Sequence, residues 1–377
     1  MNFFTVDKFI SQFVSASCAL VLFIPGIKFF LFSSVVNTSI LLMLLASILF
    51  IRIYNNFKIN KKQVIYLGYI SVIYFLILLS GLFADINVTL NTFMRYTSVW
   101  LILISIVILS RHICISFFCN YIIFWSVFLA VLYLSNFITP SGDGELSYLI
   151  LAMQLGIGFS ISLSKFVELK KNAIFYFIVL LFLMYTMLTL SSRAALIGCG
   201  MVFVFSIIYL LVVNIRERFI LVISSLMILL GCIYFSYGYI YENVLSDYLL
   251  YKLTDTNSST NSRVYYYLSS INLILDNPFG LGLQRFNSVL GFYPHNLFLE
   301  MGLNTGLLGM LLLIAPLALF CKVYAYLVIG FSKHHVLSLA NLTLFLFTCW
   351  MFSNDLGSSY VPFTALIIFL LNSKSRN

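Results

Sequence analysis

Residues 293–306 read Tyr-Pro-His-Asn-Leu-Phe-Leu-Glu-Met-Gly-Leu-Asn-Thr-Gly, and they mark the point where a polar segment gives way to a long apolar run. The segment before them contains arginines, and the run after them is long enough to form a membrane helix. His295 and Asn296 therefore stand just before a predicted span begins. The sequence indicates that the chemistry of this chain takes place at that junction.

The composition is that of a membrane protein. Of 377 residues, 62% are hydrophobic and 9% are charged, whereas about a quarter of the residues in a soluble domain are charged. We therefore expect an all-α polytopic membrane protein that forms a single integral membrane domain over residues 1–377. The net charge of +9 would suggest a nucleic-acid ligand in a soluble chain. Here we expect no nucleic acid, because the cations report membrane topology.

Apolar runs predict about twelve transmembrane helices. The first run is expected to be a retained anchor, because no small-residue cleavage site follows it. The predicted spans cover residues 12–30, 33–51, 64–83, 90–110, 116–137, 147–164, 173–190, 194–214, 219–240, 297–320, 336–352 and 360–371.

The distribution of cations predicts which loops face the cytoplasm. The densest basic cluster is Arg52, Lys58, Lys61 and Lys62, between the second and third predicted spans. With that loop inside, fifteen of the 21 Lys and Arg residues fall in inner loops and six in outer ones. Because positive charge is enriched in cytoplasmic loops, both termini are predicted to be cytoplasmic. Residues 241–296 are then a long outer loop between the ninth and tenth spans.

The outer loop is predicted to contain a helix. Apolar residues recur at helical spacing after a Ser/Thr/Asn-rich stretch that can supply a cap, and Asp276-Asn277-Pro278 ends the pattern. The stripe consists of Val264, Leu268, Ile271 and Leu275. We expect this helix to lie on the outer membrane face. The glycines that follow indicate irregular backbone that approaches a ligand closely; they are Gly280, Gly282 and Gly291.

His295 is the histidine that this topology assigns to the outer side, since the other three fall in predicted inner loops. Its ordinary pKa, about 6.5, suits it to take a proton from a hydroxyl near neutral pH. The alternative is an interfacial histidine that caps the next helix together with Asn296. Glu300, five residues further on, is a candidate to orient His295 or to act as the base in its place.

No metal ion or other cofactor is expected. No second histidine or cysteine and no paired carboxylates accompany His295 at the spacing of metal ligands. The glycines after His295 line one face of the predicted span, which is typical of close helix packing. They are Gly302, Gly306 and Gly309.

Four arginines are candidates for binding an anion on the outer side. Arg193 lies among small residues at the junction of two spans, and a guanidinium fork matches phosphate oxygens. Arg263, at the start of the loop helix, and Arg285, after the glycine-rich stretch, are placed to join it. Arg95, about five residues inside its span, is a further candidate. The alternative for Arg193 is an anchor that snorkels to the membrane boundary.

These motifs resemble the O-antigen ligase/polymerase superfamily of bacterial envelopes. The resemblance covers residues 185–315 and rests on Ser192-Arg193-Ala194, on an arginine that opens the loop helix, on a Gly-x-Gly, and on His295-Asn296-x-x-Leu299-Glu300. It implies a GT-C-like fold in the bacterial inner membrane, with about twelve transmembrane helices and a long periplasmic loop, 241–296, that contains short helices.

The resemblance also implies an activity, a metal-independent and inverting glycosyl transfer from a glycan linked to undecaprenyl pyrophosphate. Carried over to this chain, Arg193 and Arg263 would bind the pyrophosphate, and His295 would assist the acceptor hydroxyl. Other expected contacts to substrate are Arg285, Asn296, Glu300 and Arg95. The expected partners are the lipid-linked oligosaccharide as donor and acceptor, membrane lipids, and a chain-length regulator protein.

Three functions remain open at the level of sequence. An O-antigen polymerase would join the growing chain to the next lipid-linked repeat unit, and an O-antigen ligase would join the chain to the sugar of the lipid A core. A polyprenyl-glycan flippase or other transporter would place ionisable residues deep within its spans and would contain paired broken helices. The ionisable residues of this chain gather at the outer boundary instead.

The topology generates the first testable prediction. A reporter that is active only outside the inner membrane should be on when it is fused near Asn257 and off when it is fused near Lys61 or Lys170, because the cation distribution assigns these loops to opposite sides. The opposite pattern would overturn every assignment of sidedness.

Overall fold

The computed structural model of the chain describes residues 3–27, 33–54, 58–84, 90–138, 148–168, 172–190, 192–213, 259–329, 336–353 and 355–373. These residues form helices, and no strand occurs among them. The α-helices are α1 (Phe3–Ile27), α2 (Ser33–Tyr54), α3 (Lys61–Ser80), α4 (Leu90–Leu109), α5 (Ile115–Leu134), α6 (Tyr148–Glu168), α7 (Ala173–Thr189), α8 (Arg193–Val213), α9 (Ser259–Asp276), α10 (Phe286–Leu290), α11 (Leu297–Ile329), α12 (Val336–Phe352) and α13 (Tyr360–Asn372). Three short 3₁₀ turns cover Gly81–Phe83, Ser110–His112 and Leu356–Ser358.

The helices confirm the predicted class of an all-α polytopic membrane protein. Within the described part of the chain, seven helices are long and apolar enough to cross a membrane, and four more are apolar but shorter. Eleven of the twelve predicted spans coincide with these helices. The ninth, 219–240, and residues 241–258 of the predicted loop lie outside the described residues. The total of twelve spans, the GT-C-like likeness and the periplasmic side of the loop therefore stay predictions.

The first helix corrects one predicted boundary. α1 begins at Phe3, whereas the sequence placed the start of the apolar run at residue 12. Asp7 and Lys8 interrupt the hydrophobic pattern, but charged side chains do not stop a helix whose backbone hydrogen bonds continue. A helix is therefore longer than the stretch that crosses the hydrocarbon.

α6 lies at the centre of the helix bundle. It packs against α5, α7, α8 and α12, and 89% of the residues in its apolar stretch are buried. Small residues allow this, because helices approach one another closely only where side chains are short. A Cβ on Gly156 would lie 2.1 Å from the ring of Phe345, and one on Gly158 would lie 2.3 Å from Cβ of Ser126.

Hydrogen bonds at one end of the bundle join helices that the topology predicts to end on the same side. Asn341 Nδ2 donates to Ser164 Oγ and to Ser206 Oγ, each at 2.8 Å, and so ties α12 to α6 and α8. Gln63 Nε2 donates to the carbonyl of Val107 at 2.8 Å and ties α3 to α4. These contacts agree with the predicted topology for the five helices that they join, while the alternation of the other helices and the side that faces the cytoplasm stay predictions.

At the opposite end of the bundle, α11 departs from the predicted continuous span. Gly306 has φ 77° and ψ −168°, which interrupts the helix within its first third. Residues 297–306 before the break are buried, whereas Leu307 and Leu308 directly after it are exposed. The stretch from Leu297 to the break is thus a half-helix enclosed by protein, and the rest of α11 runs on at the surface of the bundle.

A loop docks into this break and bonds the backbone groups that the break leaves open. The N–H groups of Leu281 and Gly282 donate to the carbonyls of Leu303 and Asn304 at 2.8 and 3.2 Å, and the N–H of Leu307 donates to the carbonyl of Pro278 at 2.9 Å. Irregular backbone within a membrane protein is tolerated where protein groups satisfy it in this way.

The glycines of this loop correct another prediction. Gly280 and Gly282 have φ 85° and 102°. A Cβ on Gly280 would lie 2.7 Å from the carbonyl oxygen of Asn304, and one on Gly282 would lie 2.2 Å from that of Phe83. The close approach predicted from these glycines is therefore to the backbone of the chain itself and not to a ligand. Gly291 ends α10 as its left-handed C-cap.

The loop helix α9 confirms the prediction of a helix that ends at Asp276. Its stripe is exposed on the protein, as a helix lying against lipid requires; it comprises Val264, Leu268, Ile271 and Leu275. The opposite face packs on α11, where a Cβ on Gly302 would lie 2.7 Å from Cδ1 of Ile274. Close packing was the predicted role of Gly302, Gly306 and Gly309. It holds at Gly302, whereas Gly306 breaks the helix.

Replacing Gly306 by alanine should destabilise the protein. The backbone of Gly306 lies in a region that only glycine adopts without strain, which costs other residues roughly 1–3 kcal/mol, and the added Cβ would meet the carbonyl oxygen of Pro278 at 2.1 Å. We expect a lower thermal midpoint for the purified protein in detergent. Gly200→Ala in α8 is the matched control, because nothing lies within 4 Å of its added Cβ. Equal thermal midpoints for the two variants would contradict the break of α11 at Gly306.

Candidate functional site

Asn296 caps the buried half-helix of α11. Its Oδ1 accepts hydrogen bonds from the N–H groups of Phe298 and Leu299 at 2.9 and 3.1 Å. Its Nδ2 donates to the carbonyl of Met351 at 3.0 Å, which also accepts from the hydroxyl of Tyr267 at 3.2 Å. Both polar atoms of the Asn296 side chain are thus engaged within the protein. The capping role considered for the His295–Asn296 pair belongs to Asn296.

His295 is held with its imidazole turned away from the helix. Its φ is 50°, a left-handed conformation that is uncommon outside glycine. The residue is exposed, and its ring packs edge to face on the ring of Tyr293 with centroids 5.1 Å apart. Among the described residues, the imidazole has no hydrogen-bond partner. Its nitrogens are therefore accessible to a ligand.

The environment of His295 favours the neutral imidazole. Although part of the residue is open to solvent, the surrounding protein partly removes its ring from water and so lowers its pKa below the ordinary value of 6.5, and the positive charge of Arg263 lowers the pKa further. A neutral imidazole at neutral pH is the form that accepts a proton. The structure therefore brings two predicted site residues, His295 and Arg263, close enough to interact electrostatically.

Glu300 lies behind His295 and is not accessible. Only 2% of the residue is exposed, and its Oε2 accepts hydrogen bonds from the Tyr293 hydroxyl and the Leu356 N–H. Burial and the charge of Glu300 raise the pKa of Tyr293, so its phenol stays protonated and donates. Because Tyr293 packs on His295, Glu300 reaches the histidine through the tyrosine. This geometry corresponds to the orienting role that the sequence left open.

His295 opens into a cavity of about 430 Å³. Its walls come from α1, α4, α6, α12, α13 and the segments that precede α11 and α13. The polar residues that line it are Arg95, Ser98, Gln154, Tyr293, His295, Trp350, Ser353, Asp355, Ser358 and Tyr360. Pockets of this size hold small organic ligands, and a few convergent polar groups orient them.

Arg95 and Asp355 form an ion pair on the wall of this cavity. Arg95 Nη2 donates to Asp355 Oδ2, and the two side chains are 48% and 29% exposed. Ser358 Oγ donates to Asp355 Oδ1 at 2.5 Å. Gly357 makes room for the guanidinium, since a Cβ there would lie 2.3 Å from Arg95 Nε. Arg95 was the weakest of the four predicted arginines, and the structure places it in the same cavity as His295.

Arg193 is the first residue of α8 at the same end of the bundle. Ser192 Oγ accepts from the N–H of Ala195 at 3.5 Å and caps the helix. Cys349 Sγ donates to the carbonyl of Ala194 at 3.6 Å, so the first turn of α8 adjoins the last turn of α12. That turn also holds Asn296 through Met351. The Nε and Nη2 atoms of Arg193 are buried.

Arg285 is not brought to the site by any described contact. It is exposed at the start of α10, and it does not line the cavity. Its predicted contact with substrate stays a prediction.

Asp355, Gln154 and Trp350 are lining residues that the sequence analysis did not select. Arg95, the partner of Asp355, is 260 residues away in the chain, so no local spacing connects them. Gln154 and Trp350 stand within apolar runs, where a single polar atom leaves the hydrophobic pattern unchanged.

A second cavity, of about 400 Å³, lies between α3, α4, α11 and α13. Its lining is almost wholly apolar and rich in aromatic rings, including Tyr66, Trp100 and Phe363. The lining also includes Tyr96 and Leu356, the chain neighbours of Arg95 and Asp355. The apolar groove therefore adjoins the part of the chain that carries the ion pair.

One known family matches part of the chain. Residues 175–314 match the family model described as O-antigen ligase. The matched stretch runs from α7 into α11 and contains six of the seven predicted site residues, while Arg95 lies outside it, as does its partner Asp355. The six are Arg193, Arg263, Arg285, His295, Asn296 and Glu300. A search of the curated proteins found no match. The resemblance drawn from the motifs is thereby confirmed.

The pKa of His295 generates a prediction that does not depend on activity. Diethyl pyrocarbonate modifies neutral imidazole, so the rate of modification at His295, followed by peptide mass spectrometry, should titrate with a midpoint below about 6.5. Arg263→Gln removes a charge that disfavours protonation and should move the midpoint upward. Arg285→Gln, an exposed arginine of the same loop, should leave it unchanged. An unchanged midpoint in Arg263→Gln would show that Arg263 does not influence the pKa of His295.

Proposed function

We propose that the chain is an O-antigen polymerase, on the basis of the match of residues 175–314 to the family model described as O-antigen ligase. It transfers a growing glycan from undecaprenyl pyrophosphate to a lipid-linked repeat unit on the periplasmic face of the inner membrane. The observation that carries this proposal is His295, an accessible imidazole held neutral beside Arg263 and facing a cavity of polar residues.

The reaction is a single displacement at the anomeric carbon of the donor. A hydroxyl oxygen of the acceptor attacks this carbon, the bond from carbon to the pyrophosphate oxygen breaks, and the electron pair of that bond stays on undecaprenyl pyrophosphate. His295 takes the hydroxyl proton and releases it to solvent after the transfer. One displacement without an enzyme nucleophile inverts the anomeric configuration. No metal or other cofactor takes part in the proposed step.

Arg193 and Arg263 hold the pyrophosphate and stabilise the charge that develops on it. Guanidinium groups bind phosphate oxygens in a bidentate manner, and preorganised cations at a developing charge provide a large part of catalysis. Each of the two arginines lies near the start of its helix, where the helix dipole also favours an anion. Asn296 and Glu300 act indirectly, by fixing the loop that carries His295.

The apolar groove between α3, α4, α11 and α13 suits the polyprenyl chain of a lipid-linked substrate. It is lined by aliphatic and aromatic side chains, among them Tyr96 and Leu356, the chain neighbours of Arg95 and Asp355. Binding the polyprenyl chain in this groove would hold the reacting end of the substrate at one fixed site. The reaction would then be local and would not depend on diffusional encounter in the plane of the bilayer.

The ligase is the second candidate, since the description of the matching family supports it. The polymerase is preferred because the chain is low in distinctive loop content and polymerase sequences are numerous and variable. A transporter is disfavoured because paired broken helices characterise that class. Among the described helices, α11 alone contains non-helical backbone.

Deletion of the gene and complementation test the proposal. A gel of surface polysaccharide from the deletion strain should show one repeat unit on the lipid A core. Bare core with accumulated lipid-linked polymer would identify a ligase instead, and loss of both products with cytoplasmic intermediates would identify a flippase.

Complementation with His295→Asn should fail to restore polymer while the protein inserts at normal levels. Asparagine tolerates the positive φ of residue 295 but accepts no proton, so the rate should fall on the order of 10²–10⁴-fold. His112→Asn, at the opposite end of the bundle, should restore polymer fully. Normal polymer from His295→Asn, both in cells and in a purified assay with lipid-linked donor, would exclude His295 as the base.

A further inference from the structure

The cavity that His295 faces differs in charge from the surroundings of the predicted pyrophosphate site. Its cation, Arg95, is already bonded to Asp355, and the two charges offset each other. Arg193 and Arg263 are not among its lining residues. A pyrophosphate gains little from a neutralised pair, whereas hydroxyl groups bond well to both partners: the carboxylate accepts, and the guanidinium donates.

Two buried polar atoms on the lining have no hydrogen-bond partner among the described residues. They are Oε1 of Gln154 on α6 and Nε1 of Trp350 on α12, in residues that are 2% and 3% exposed. Gln154 uses only its Nε2, which donates to the carbonyl of Phe23 at 3.2 Å. Buried polar groups in native proteins are nearly always bonded. Both atoms are closed off from the cavity, and Oε1 of Gln154 lies against Gly26, whose added Cβ would be 1.9 Å away. The groups that a ligand with hydroxyl groups can reach in this cavity are therefore His295 and the Arg95–Asp355 pair.

We propose that the cavity bounded by His295, the Arg95–Asp355 pair, Gln154 and Trp350 binds the acceptor sugar, an uncharged pyranose that presents one hydroxyl to His295. The proposal rests on the proposed function and assigns the two substrates of that reaction to opposite sides of the histidine. The donor pyrophosphate lies on the side of Arg263, and the acceptor ring lies on the side of Arg95.

The position of His295 decides which sugar occupies the cavity. A general base must reach the proton of the attacking hydroxyl, and that hydroxyl belongs to the acceptor. The imidazole lines this cavity and has no protein partner there. The sugar within its reach is therefore the attacking one, and Asp355 and Arg95 select it by the arrangement of its other hydroxyls.

Two probes separate the two subsites. One is the repeat-unit oligosaccharide, released by mild acid from the lipid that accumulates in the deletion strain, so that it carries no pyrophosphate. The other is undecaprenyl pyrophosphate without sugar. Saturation-transfer NMR for the first probe and fluorescence titration for the second give a Kd for each on the full chain in nanodiscs.

Asp355→Asn should weaken oligosaccharide binding by about tenfold or more and leave the Kd of undecaprenyl pyrophosphate unchanged. Arg263→Gln should do the reverse. Asp276→Asn, at the exposed end of α9, is the matched control for Asp355 and should change neither Kd. Retained binding of undecaprenyl pyrophosphate also shows that a variant is folded.

The outcomes distinguish the subsite from the function. Loss of oligosaccharide binding in Asp355→Asn, with undecaprenyl pyrophosphate still bound, supports the subsite. Wild-type affinity for the oligosaccharide in that variant overturns it, and so does binding that depends on Arg263 alone. Failure of wild-type protein to bind undecaprenyl pyrophosphate contradicts the proposed function itself.

Discussion

The break of α11 at Gly306 is the constraint on which the site depends. Backbone N–H and C=O groups within a membrane protein need hydrogen-bond partners. The break leaves carbonyls of the half-helix, and one N–H beyond the break, without a hydrogen-bond partner inside the helix. The loop from Pro278 to Gly282 supplies those partners. It can do so only because Gly280 and Gly282 lie against backbone where no side chain fits. The start of α11 is thereby joined to the outer loop, and His295 stands at the free end of the half-helix.

Three side chains then fix the histidine from behind. Asn296 ties the helix start to the end of α12, and Glu300 bonds the Tyr293 hydroxyl and the Leu356 N–H. Tyr293 in turn supports the imidazole. The general base that we propose at residue 295 works only when its geometry is set before the reaction, and a residue at positive φ in a loop would otherwise have several conformations. The polar residues around His295 thus position it and leave its nitrogens to the ligand.

Local signals predicted most of the fold. Apolar runs located the described spans, and Asp276-Asn277-Pro278 located the end of α9. The break at Gly306 was not predicted, because a glycine in an apolar run indicates close packing equally well. The role of Gly306 becomes visible only in the structure, where the carbonyl oxygen of Pro278 lies against it. Arg95 and Asp355 were each visible as charges, but their pairing depends on the packing of α4 beside the turn before α13. Spacing along the chain carries no information on such a contact, and Gln154 and Trp350 are undetectable for the same reason.

The two sides of His295 solve different problems of recognition. A pyrophosphate is recognised by charge, and guanidinium groups attract it strongly and with little regard to the sugar attached. A sugar hydroxyl competes with water that is chemically alike, so its recognition has to come from the placement of donors and acceptors. An ion pair such as Arg95–Asp355 serves this purpose, because each group is already satisfied when the cavity holds no sugar. A ligand must match both partners at once to improve on that arrangement. In the proposed reaction, selectivity among acceptors therefore belongs to the neutral side of the histidine, and affinity for the lipid carrier belongs to the charged one.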